Sequence, residues 1–440
     1  MSALGKERKT LSQSELEAVI TAHERYLARQ DGGQRGSFAF HDISHLHLSN
    51  RNLSEADFSG AKAGFASFTG AKLIGANLFA ADLRVANLEG ADLTGADLRG
   101  ACLRGAVLND AILIKADLRE GVLATIEPEK QDLKLVSFGG GATELANVVA
   151  ERADFTDAQI SNGFVLQADF TDAILKNVKL VNADLRNAIF EGANLEGADL
   201  SKSDLSGANL QGAVLTGVKW KGVILDGADL RGAAIDQDAK EQAYFASAKR
   251  AESVDTLGCT LAEALKYHKE WSESSGSKGK RGDFSEIDLQ FQDFHDEFLP
   301  AAKFNRALLT GANFTRTELA MAELSLTDCR DAMFAQADLR GAVLTRGIFN
   351  GADFSGAQLE PVEIFGSITK FWSSNLEGAK FVKARFRDTN LSGARIEGAD
   401  FSGADLRGAD LRNCNVKAAT FKGAKMEGAK FDDAKIKGAA

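Results

Sequence analysis

Large apolar residues recur at every fifth position through most of the chain. They form four runs, from Phe38 to Leu123, Phe155 to Ile235, Phe284 to Ile364 and Leu376 to Ile436. A period of five matches neither the period of 2 of a strand nor the period of 3.6 of a helix. The runs therefore predict a backbone that turns after each five-residue unit, and not a set of amphipathic helices or strands.

The residues around each apolar centre also repeat. Two residues before the centre, every position from Ala56 to Ala116 in steps of five is alanine. Asp or Asn often precedes the centre directly and Gly often follows it by two, as Asp92 and Gly95 do around Leu93. If four units form one square coil, the centre and the alanine face a narrow interior, and the polar and glycine positions face solvent or the corners. Each coil then rises by one strand spacing, about 4.8 Å.

This pattern, A(D/N)LxG, resembles that of the pentapeptide-repeat family. The segment ADLTGADLRGACLRGAVL, which begins at Ala91, is a close match to it. The resemblance covers roughly 300 residues and is specific. It implies an all-β solenoid of pentapeptide repeats, in the form of a right-handed quadrilateral parallel β-helix. It implies much less about activity, because proteins of one fold differ in function.

The alternation of periodic and non-periodic segments predicts two tandem solenoids with short α-helical caps and a helical linker. The predicted regions are an N-terminal helical cap (1–37), a first solenoid (38–235) with an irregular insertion at about 124–154, a helical linker and cap (236–283), and a second solenoid (284–440) with an irregular break at about 365–375.

Two segments outside the repeat have matching helical patterns. One begins with a capping box at Ser12 and the other with a capping box at Thr260, and the segments align on His23 and His268. We expect the first helix to cap an open coil end, and we expect two helices across 238–273. The match predicts a duplication of a helix followed by a solenoid.

The balance of charge and the cysteines restrict the class of protein. The formal net charge is −10, from 52 Lys and Arg against 62 Asp and Glu, so no direct nucleic-acid binding is expected. No segment approaches roughly 18 consecutive apolar residues, which predicts neither a signal peptide nor a membrane span. The four cysteines are far apart and form no CxxC pair. They therefore predict reduced thiols in a cytoplasmic protein.

No catalytic, cofactor-binding or metal-binding residue is predicted. The chain has no phosphate loop, nucleophile elbow or HExxH motif, and its many aspartates belong to the repeat. His41, His45 and His47 are the best metal candidates, but they lie at non-central positions on different sides of the coil, and no cysteine or acidic quartet completes a site with them. The chain is predicted not to be an enzyme and to require no cofactor.

A regular surface without a chemical site predicts a protein–protein interaction scaffold whose partner is unidentified. Binding and catalytic residues concentrate in loops that leave a rigid framework, and Phe371 with Trp372 is a candidate aromatic anchor in such a loop. An open last coil would expose backbone and apolar groups. It predicts a homodimer or partner contact through the C-terminal coil end, with Phe431 and Ile436 as candidate residues.

The alternative function is DNA mimicry. Some pentapeptide-repeat proteins resemble B-form DNA in width and surface charge and bind a DNA-handling enzyme, DNA gyrase. Here arginine follows aspartate by two positions in many repeats, as Arg99 follows Asp97, so neighbouring charges cancel in part. Residues 376–440 hold 9 acidic and 13 basic residues, which is the wrong sign for a phosphate mimic.

Overall fold

Parallel bridges between residues one coil apart define the architecture. In the computed structural model, residues 20 apart, such as Asp57 and Asn77, pair in parallel. Four sides of five residues therefore make one coil, and the predicted right-handed quadrilateral parallel β-helix is confirmed. The residues that the structure describes are 9–120, 123–126, 133–136, 143–163, 165–240, 242, 245–364 and 370–432.

The chain divides into two compact units. The first contains the residues up to Asn209 together with Leu215–Ala228 and Ile235–Ala248, and the second contains Leu210–Val214, Asp229–Ala234 and the chain from Lys249 onward. The four-region boundaries inferred from the sequence stay a prediction.

The described residues contain few regular helices and strands outside the bridges. The helices are α1 (Gln13–Leu27), α2 (Gln237–Lys240) and α3 (Leu261–Glu273), with a 3₁₀ helix at Val254–Leu257. The strands are β1 (Leu123–Ile126), β2 (Leu133–Val136), β3 (Val214–Leu215), β4 (Ala234–Ile235), β5 (Val362–Ile364) and β6 (Lys370–Trp372). Strands β1 and β2 form an antiparallel hairpin, β5 and β6 form another, and β3 neighbours β4 in a two-stranded sheet.

Two helices were expected across 238–273, and among the residues of that range that the structure describes only α3 extends over several turns. Helix α2 has 4 residues. The reason is that the repeat architecture continues beyond Ile235: Phe245 is fully buried and packs edge-on against Trp220, with ring centroids 5.2 Å apart. Lys249 also bridges Asp229 in parallel, as a further side of a coil would.

Stacked phenylalanines form much of the interior of the second unit. Phe294, Phe314, Phe334 and Phe354 lie one above another, with successive ring centroids 4.7, 5.0 and 4.8 Å apart and nearly parallel planes. All four are fully buried. Because the ring spacing equals the strand spacing of about 4.8 Å, each coil places its ring directly on the previous one.

The corners explain why glycine follows the centre by two. At a typical corner the Ala76 N–H donates to the Leu73 carbonyl at 3.0 Å, and Gly75 between them has φ +62°. This left-handed conformation is cheap for glycine and costly for residues with a Cβ. Some corners nevertheless hold a branched residue, such as Val85 at φ 58°.

The two long helices are attached to the coils in the same way. The His23 Nδ1 accepts a hydrogen bond from the Gly36 N–H at 3.0 Å, and the His268 Nδ1 accepts one from the Gly282 N–H at 2.8 Å. Both imidazoles are fully buried. The capping boxes predicted at Ser12 and at Thr260 are also present. The alignment made on the two histidines therefore corresponds to equivalent structural positions.

The two hairpins account for both shifts of the five-residue register. Bridged residues that are 20 apart in regular coils are 42 apart across β1–β2, as with Cys102 and Glu144, and 32 apart across β5–β6. Each hairpin thus inserts two residues more than a multiple of five. The coil resumes on the far side, where the side chain of Leu145 is fully buried.

Two centres inferred from the period, and the start of one run, need correction. Leu123 begins β1 and Ile364 ends β5, so neither lies in a coil, and Ile364 is 40% exposed. The series after the first hairpin begins at Leu145 and includes Ala150, both fully buried, and not at Phe155. The count by fives missed Ala150 because a small residue occupies that centre, and it wrongly included Leu123 and Ile364 because strands also contain apolar residues.

Candidate functional site

Hairpin β5–β6 presents the two aromatic residues that the sequence singled out. Phe371 is 69% exposed and Trp372 is 52% exposed. In the hairpin, Trp372 pairs with Val362 and Phe371 pairs with Glu363. Successive side chains of a strand point to opposite faces, so the two aromatic rings lie on different faces of the hairpin.

One of these faces rests on the coil. A Cβ added at Gly341 would lie 2.8 Å from Val362 Cγ1 and 3.1 Å from Trp372 Cδ1. The glycine therefore makes room for the face that carries Val362 and Trp372. Phe371 lies on the other face and is the more exposed of the two aromatic side chains.

A buried hydroxyl holds the base of this hairpin. The Ser374 Oγ donates to the Leu359 carbonyl at 2.5 Å and accepts a hydrogen bond from the Gly341 N–H at 3.1 Å. These backbone groups flank the point where the chain leaves and re-enters the coil. Thr143 takes the equivalent position after β1–β2, where its Oγ1 donates to the Arg119 carbonyl at 3.1 Å.

A groove lies beside the hairpin on one face of the second unit, with a volume of about 730 Å³. Trp271 from α3 and Trp372 from β6 both line it, with a floor of coil residues between them. The groove was not found by sequence reasoning. Trp271 belongs to the cap helix and Trp372 to the break, and only the coiling of the chain places both in one groove.

Several aspartates of the repeat form a two-bond ion pair with the arginine two positions later, which partly neutralises their negative charge on the faces. Asp97 accepts two hydrogen bonds from Arg99, Nε to Oδ1 at 2.8 Å and Nη2 to Oδ2 at 2.6 Å. Hydrogen bonds of this kind from Arg186 hold the pKa of Asp184 below its usual range. We call this arrangement the Asp-x-Arg clasp. It recurs at Asp82, Asp117, Asp184, Asp229, Asp328, Asp338, Asp405 and Asp410.

The candidate residues at the last coil fall partly within the described chain. Phe431 is half-buried and packs against the core of the second unit. Ile436 lies outside the described residues. The contact through the C-terminal coil end, including the homodimer, therefore stays a prediction.

The three clustered histidines make separate contacts. His41 Nδ1 lies 2.8 Å from the Ala39 carbonyl, and the His45 ring stacks on Phe65 with centroids 5.0 Å apart. The His47 backbone N–H donates to Gln13 at the start of α1. Within the described part of the chain, no group of three or more His, Cys, Asp or Glu is placed to hold a metal ion.

Two of the cysteines are core residues. Cys329 and Cys414 are buried, and burial raises the pKa of both thiols, that of Cys414 to about 12. A thiol of raised pKa is a poor nucleophile because the thiolate is the reactive form. None of the helices in the described ranges is long and apolar enough to cross a membrane.

A scan of protein-family models identifies the repeat. The model described as pentapeptide repeats matches overlapping segments within 52–123, 153–237, 299–360 and 371–438, which together exceed half of the chain. The chain belongs to the pentapeptide-repeat family. Among the described residues of this pentapeptide-repeat protein, the count by fives identifies the centres of the four runs, apart from those corrected above.

Solved structures of other pentapeptide-repeat proteins are similar to this chain. Rfr23 from the cyanobacterium Cyanothece 51142 is 25% identical over 33% of this chain and 88% of its own, with a TM-score of 0.20. HetL, involved in heterocyst differentiation regulation in Nostoc sp. strain PCC 7120, is 19% identical over 92% of this chain and 93% of its own, with a TM-score of 0.15.

A trypsin-treated form of QnrB1, a plasmid-mediated fluoroquinolone resistance protein, is 17% identical over 52% of this chain and 99% of its own, with a TM-score of 0.25. At these TM-scores the three likenesses support no argument about function or partner. Among curated proteins, no match to the chain was found.

Proposed function

We propose that this pentapeptide-repeat protein is a non-enzymatic scaffold that binds a protein partner through hairpin β5–β6. The observation that carries the proposal is the exposure of Phe371 and Trp372, at 69% and 52%, on a hairpin that leaves an otherwise regular coil. Exposed aromatic side chains on a rigid base are typical centres of binding energy, because little ordering is needed when a partner covers them.

The attachment of the hairpin supports this proposal. Ser374 satisfies the backbone at its base, and Gly341 lets Val362 and Trp372 pack close to the coil. The hairpin and the Trp372 side chain are therefore held in place before binding. A rigid framework that positions a binding loop is a common arrangement. We further place the protein in the cytoplasm, a proposal supported by its four free cysteines.

The Asp-x-Arg clasps weigh against DNA mimicry, which is the alternative. A mimic needs a continuous strip of negative charge, whereas each clasp places a guanidinium within 3 Å of the carboxylate it neutralises, as Arg412 does for Asp410. Gyrase supercoiling activity is expected to be unchanged at micromolar concentrations of this protein. Inhibition, or protection of gyrase from a quinolone, at that concentration would instead support mimicry.

Site-specific cross-linking tests the scaffold function. Phe371 is replaced by photoreactive benzoylphenylalanine, and the full chain is irradiated in an extract of the cells that make it. Phe291, which is 76% exposed and lies outside the hairpin, is replaced in the matched control. We expect a defined protein to be cross-linked from position 371 and not from position 291. Identical products from both positions, or none from 371, would contradict the proposal.

A further inference from the structure

We propose that His23 and His268 are acid-sensitive latches that release helices α1 and α3 from the coils in mildly acidic solution. This inference goes beyond the proposed scaffold function and does not depend on it. The chain has six histidines, all within the described ranges, and only these two are fully buried. Each one joins a long helix to the coil that follows that helix in the chain.

The two latches have the same construction. Each Nδ1 accepts a hydrogen bond from the N–H of the glycine two positions before a coil centre, Gly36 at 3.0 Å and Gly282 at 2.8 Å. A Cβ added at these glycines would lie 3.2 Å from His23 Cβ and 3.3 Å from His268 Nδ1, so the absence of a side chain permits the close approach. The Nε2 of each ring is buried as well.

This geometry does not accommodate a protonated ring. Because Nδ1 accepts a hydrogen bond, it carries no hydrogen, and the neutral imidazole carries its hydrogen on Nε2. Protonation places a second N–H on Nδ1, where it faces the N–H of the glycine. The hydrogen bond is then lost, and a buried positive charge is left without a partner, which is unfavourable. The helix must therefore move away from the coil for the ring to take up a proton.

Charges of both signs surround His23. Burial of the ring lowers the pKa of His23 and is the largest influence on it. Arg35 lowers this pKa further, whereas Glu24 of α1, Glu55 of the coil and the backbone of Ser54 raise it. The net effect is a lowered pKa, so the ring stays neutral while α1 is attached.

The charged group that faces His268 is Arg281. Burial again has the largest effect and lowers the pKa of His268, and Arg281 lowers it further. Arg281 is itself bound to Glu323, with Nη2 at 2.7 Å from the carboxylate. The backbone of Pro300 raises the pKa, but the net direction is the same as for His23. The two latches thus respond to acid in the same direction in different surroundings.

The capping boxes of the two helices remain charged in mildly acidic solution. Hydrogen bonds from Ser12 lower the pKa of Glu15 to about 2, and hydrogen bonds from Thr260 lower the pKa of Glu263 below its usual range. Both carboxylates are therefore ionised at pH 5. A change in α1 or α3 at that pH is not caused by loss of the N-terminal caps.

The expected size of the effect follows from the ordinary pKa of histidine. A released helix leaves its histidine in water, where the pKa is about 6.5. At pH 5 such a ring is protonated about 30 times more often than it is neutral, so the equilibrium shifts toward the released helix by up to about 30-fold. Attachment is complete above about pH 6.5 and weakens as the pH falls from there through the lowered pKa of the buried ring.

Hydrogen–deuterium exchange of the full chain at pH 7.5 and pH 5 tests this inference, with each rate corrected for the intrinsic effect of pH on exchange. We expect the protection of peptides from α1 and α3 to fall by about tenfold to 30-fold between the two conditions. Peptides from residues 98–118 and 376–411 lie several coils beyond the helix of their own unit. Their protection should change by about threefold or less, because an opening confined to those coils leaves both histidines buried.

Two variants serve as controls for each other. Asparagine does not titrate, and its amide oxygen lies near the position of Nδ1, so His23→Asn and His268→Asn each retain an acceptor for the glycine N–H. His23→Asn should abolish the effect of pH on α1 and leave the effect on α3. His268→Asn should do the reverse.

Three results would overturn the inference. The first is unchanged protection of both helices in the parent chain between pH 7.5 and pH 5, which is informative whether or not the variants fold. The second is an equal loss of protection in the helices and in the distant coils, which indicates general unfolding by acid. The third is an effect of pH on α1 that persists in His23→Asn, because another group would then be the one that titrates.

Discussion

Removing one ring from the phenylalanine stack of the second unit tests whether these stacks hold the coils together. Phe314 is fully buried, with ring centroids 4.7 Å from Phe294 and 5.0 Å from Phe334 in the stack, and 5.6 Å from Phe304 edge-on. Phe314→Ala removes all three ring contacts at once. The parallel backbone ladder does not let the neighbouring coils collapse freely into the space.

The expected loss of stability follows from the area that the phenylalanine ring buries. A phenylalanine ring buries roughly 200 Å² and each Å² contributes about 25 cal/mol, which gives an upper bound of about 5 kcal/mol. Core substitutions of Phe by Ala commonly cost about 3 to 5 kcal/mol. We therefore expect Phe314→Ala to lower the local stability by about 3 to 5 kcal/mol. Phe291→Ala, at a side chain that is 76% exposed, should cost about 0.5 kcal/mol or less.

Hydrogen–deuterium exchange read by mass spectrometry measures this effect coil by coil. Peptides from residues 289–339 should exchange much faster in Phe314→Ala, because each coil is supported by its neighbours. Peptides from residues 61–101 of the first unit should be unchanged. Equal exchange in Phe314→Ala and Phe291→Ala, or an equal loss of protection in both units, would refute the reasoning.

Three further predictions concern charge, backbone and pH. Asp328→Ala should destabilise the protein by about 3 to 5 kcal/mol in urea unfolding, because Asp328 is fully buried in its clasp with Arg330. Asp97→Ala, in a partly exposed clasp, should lower the stability by about 1 kcal/mol or less. Equal losses of stability in the two variants would contradict this account. Gly95→Ala should lower the stability measured by thermal unfolding by about 1 kcal/mol, because Gly95 has φ +65°, which is unfavourable for alanine. No atom lies near the added Cβ, so a steric clash does not contribute. Unchanged stability would show that the corner conformation is not strained. Burial lowers the pKa of His23 and His268, so these residues are neutral when folded and the unfolded chain binds their protons more readily. Stability should therefore be full above the unfolded pKa of about 6.5 and fall as pH drops from there through the lowered values; urea midpoints between pH 7.5 and 5 should show this loss in the parent chain and a smaller loss in His268→Gln.

Much of the fold follows from the sequence because the coil imposes the same constraint on every side. A side of five residues has one inward centre and one small inward position, so the run of alanines from Ala56 to Ala116 and the apolar centres identify the coil directly. Glycine at corners such as Gly75 reports the left-handed backbone.

The errors arise where an insertion imitates the repeat. Ile364 continues the count by fives but lies in β5, because a strand of a hairpin also carries apolar residues. Ala150 is a buried centre that the count missed, because its side chain is as small as that of the residue two positions before a centre. The local sequence pattern does not show which of these residues are centres of a coil. The parallel bridges between neighbouring coils do show it.

The candidate site was predictable in part. A break in the period that contains Phe371 and Trp372 indicates exposed aromatic residues, and both are exposed. That Trp271 and Trp372 line the same groove was not predictable. Their proximity depends on how many coils separate α3 from the hairpin and on the side of the coil from which each emerges.

The affinity of the cross-linked partner for the full chain tests the scaffold function most directly. The purified partner is titrated against the parent chain, Phe371→Ala and Phe291→Ala by isothermal calorimetry. The account predicts that Phe371→Ala weakens binding by about tenfold or more, since an exposed aromatic anchor contributes about 1.4 kcal/mol or more, and that Phe291→Ala binds like the parent chain. Equal dissociation constants for Phe371→Ala and the parent chain would contradict it.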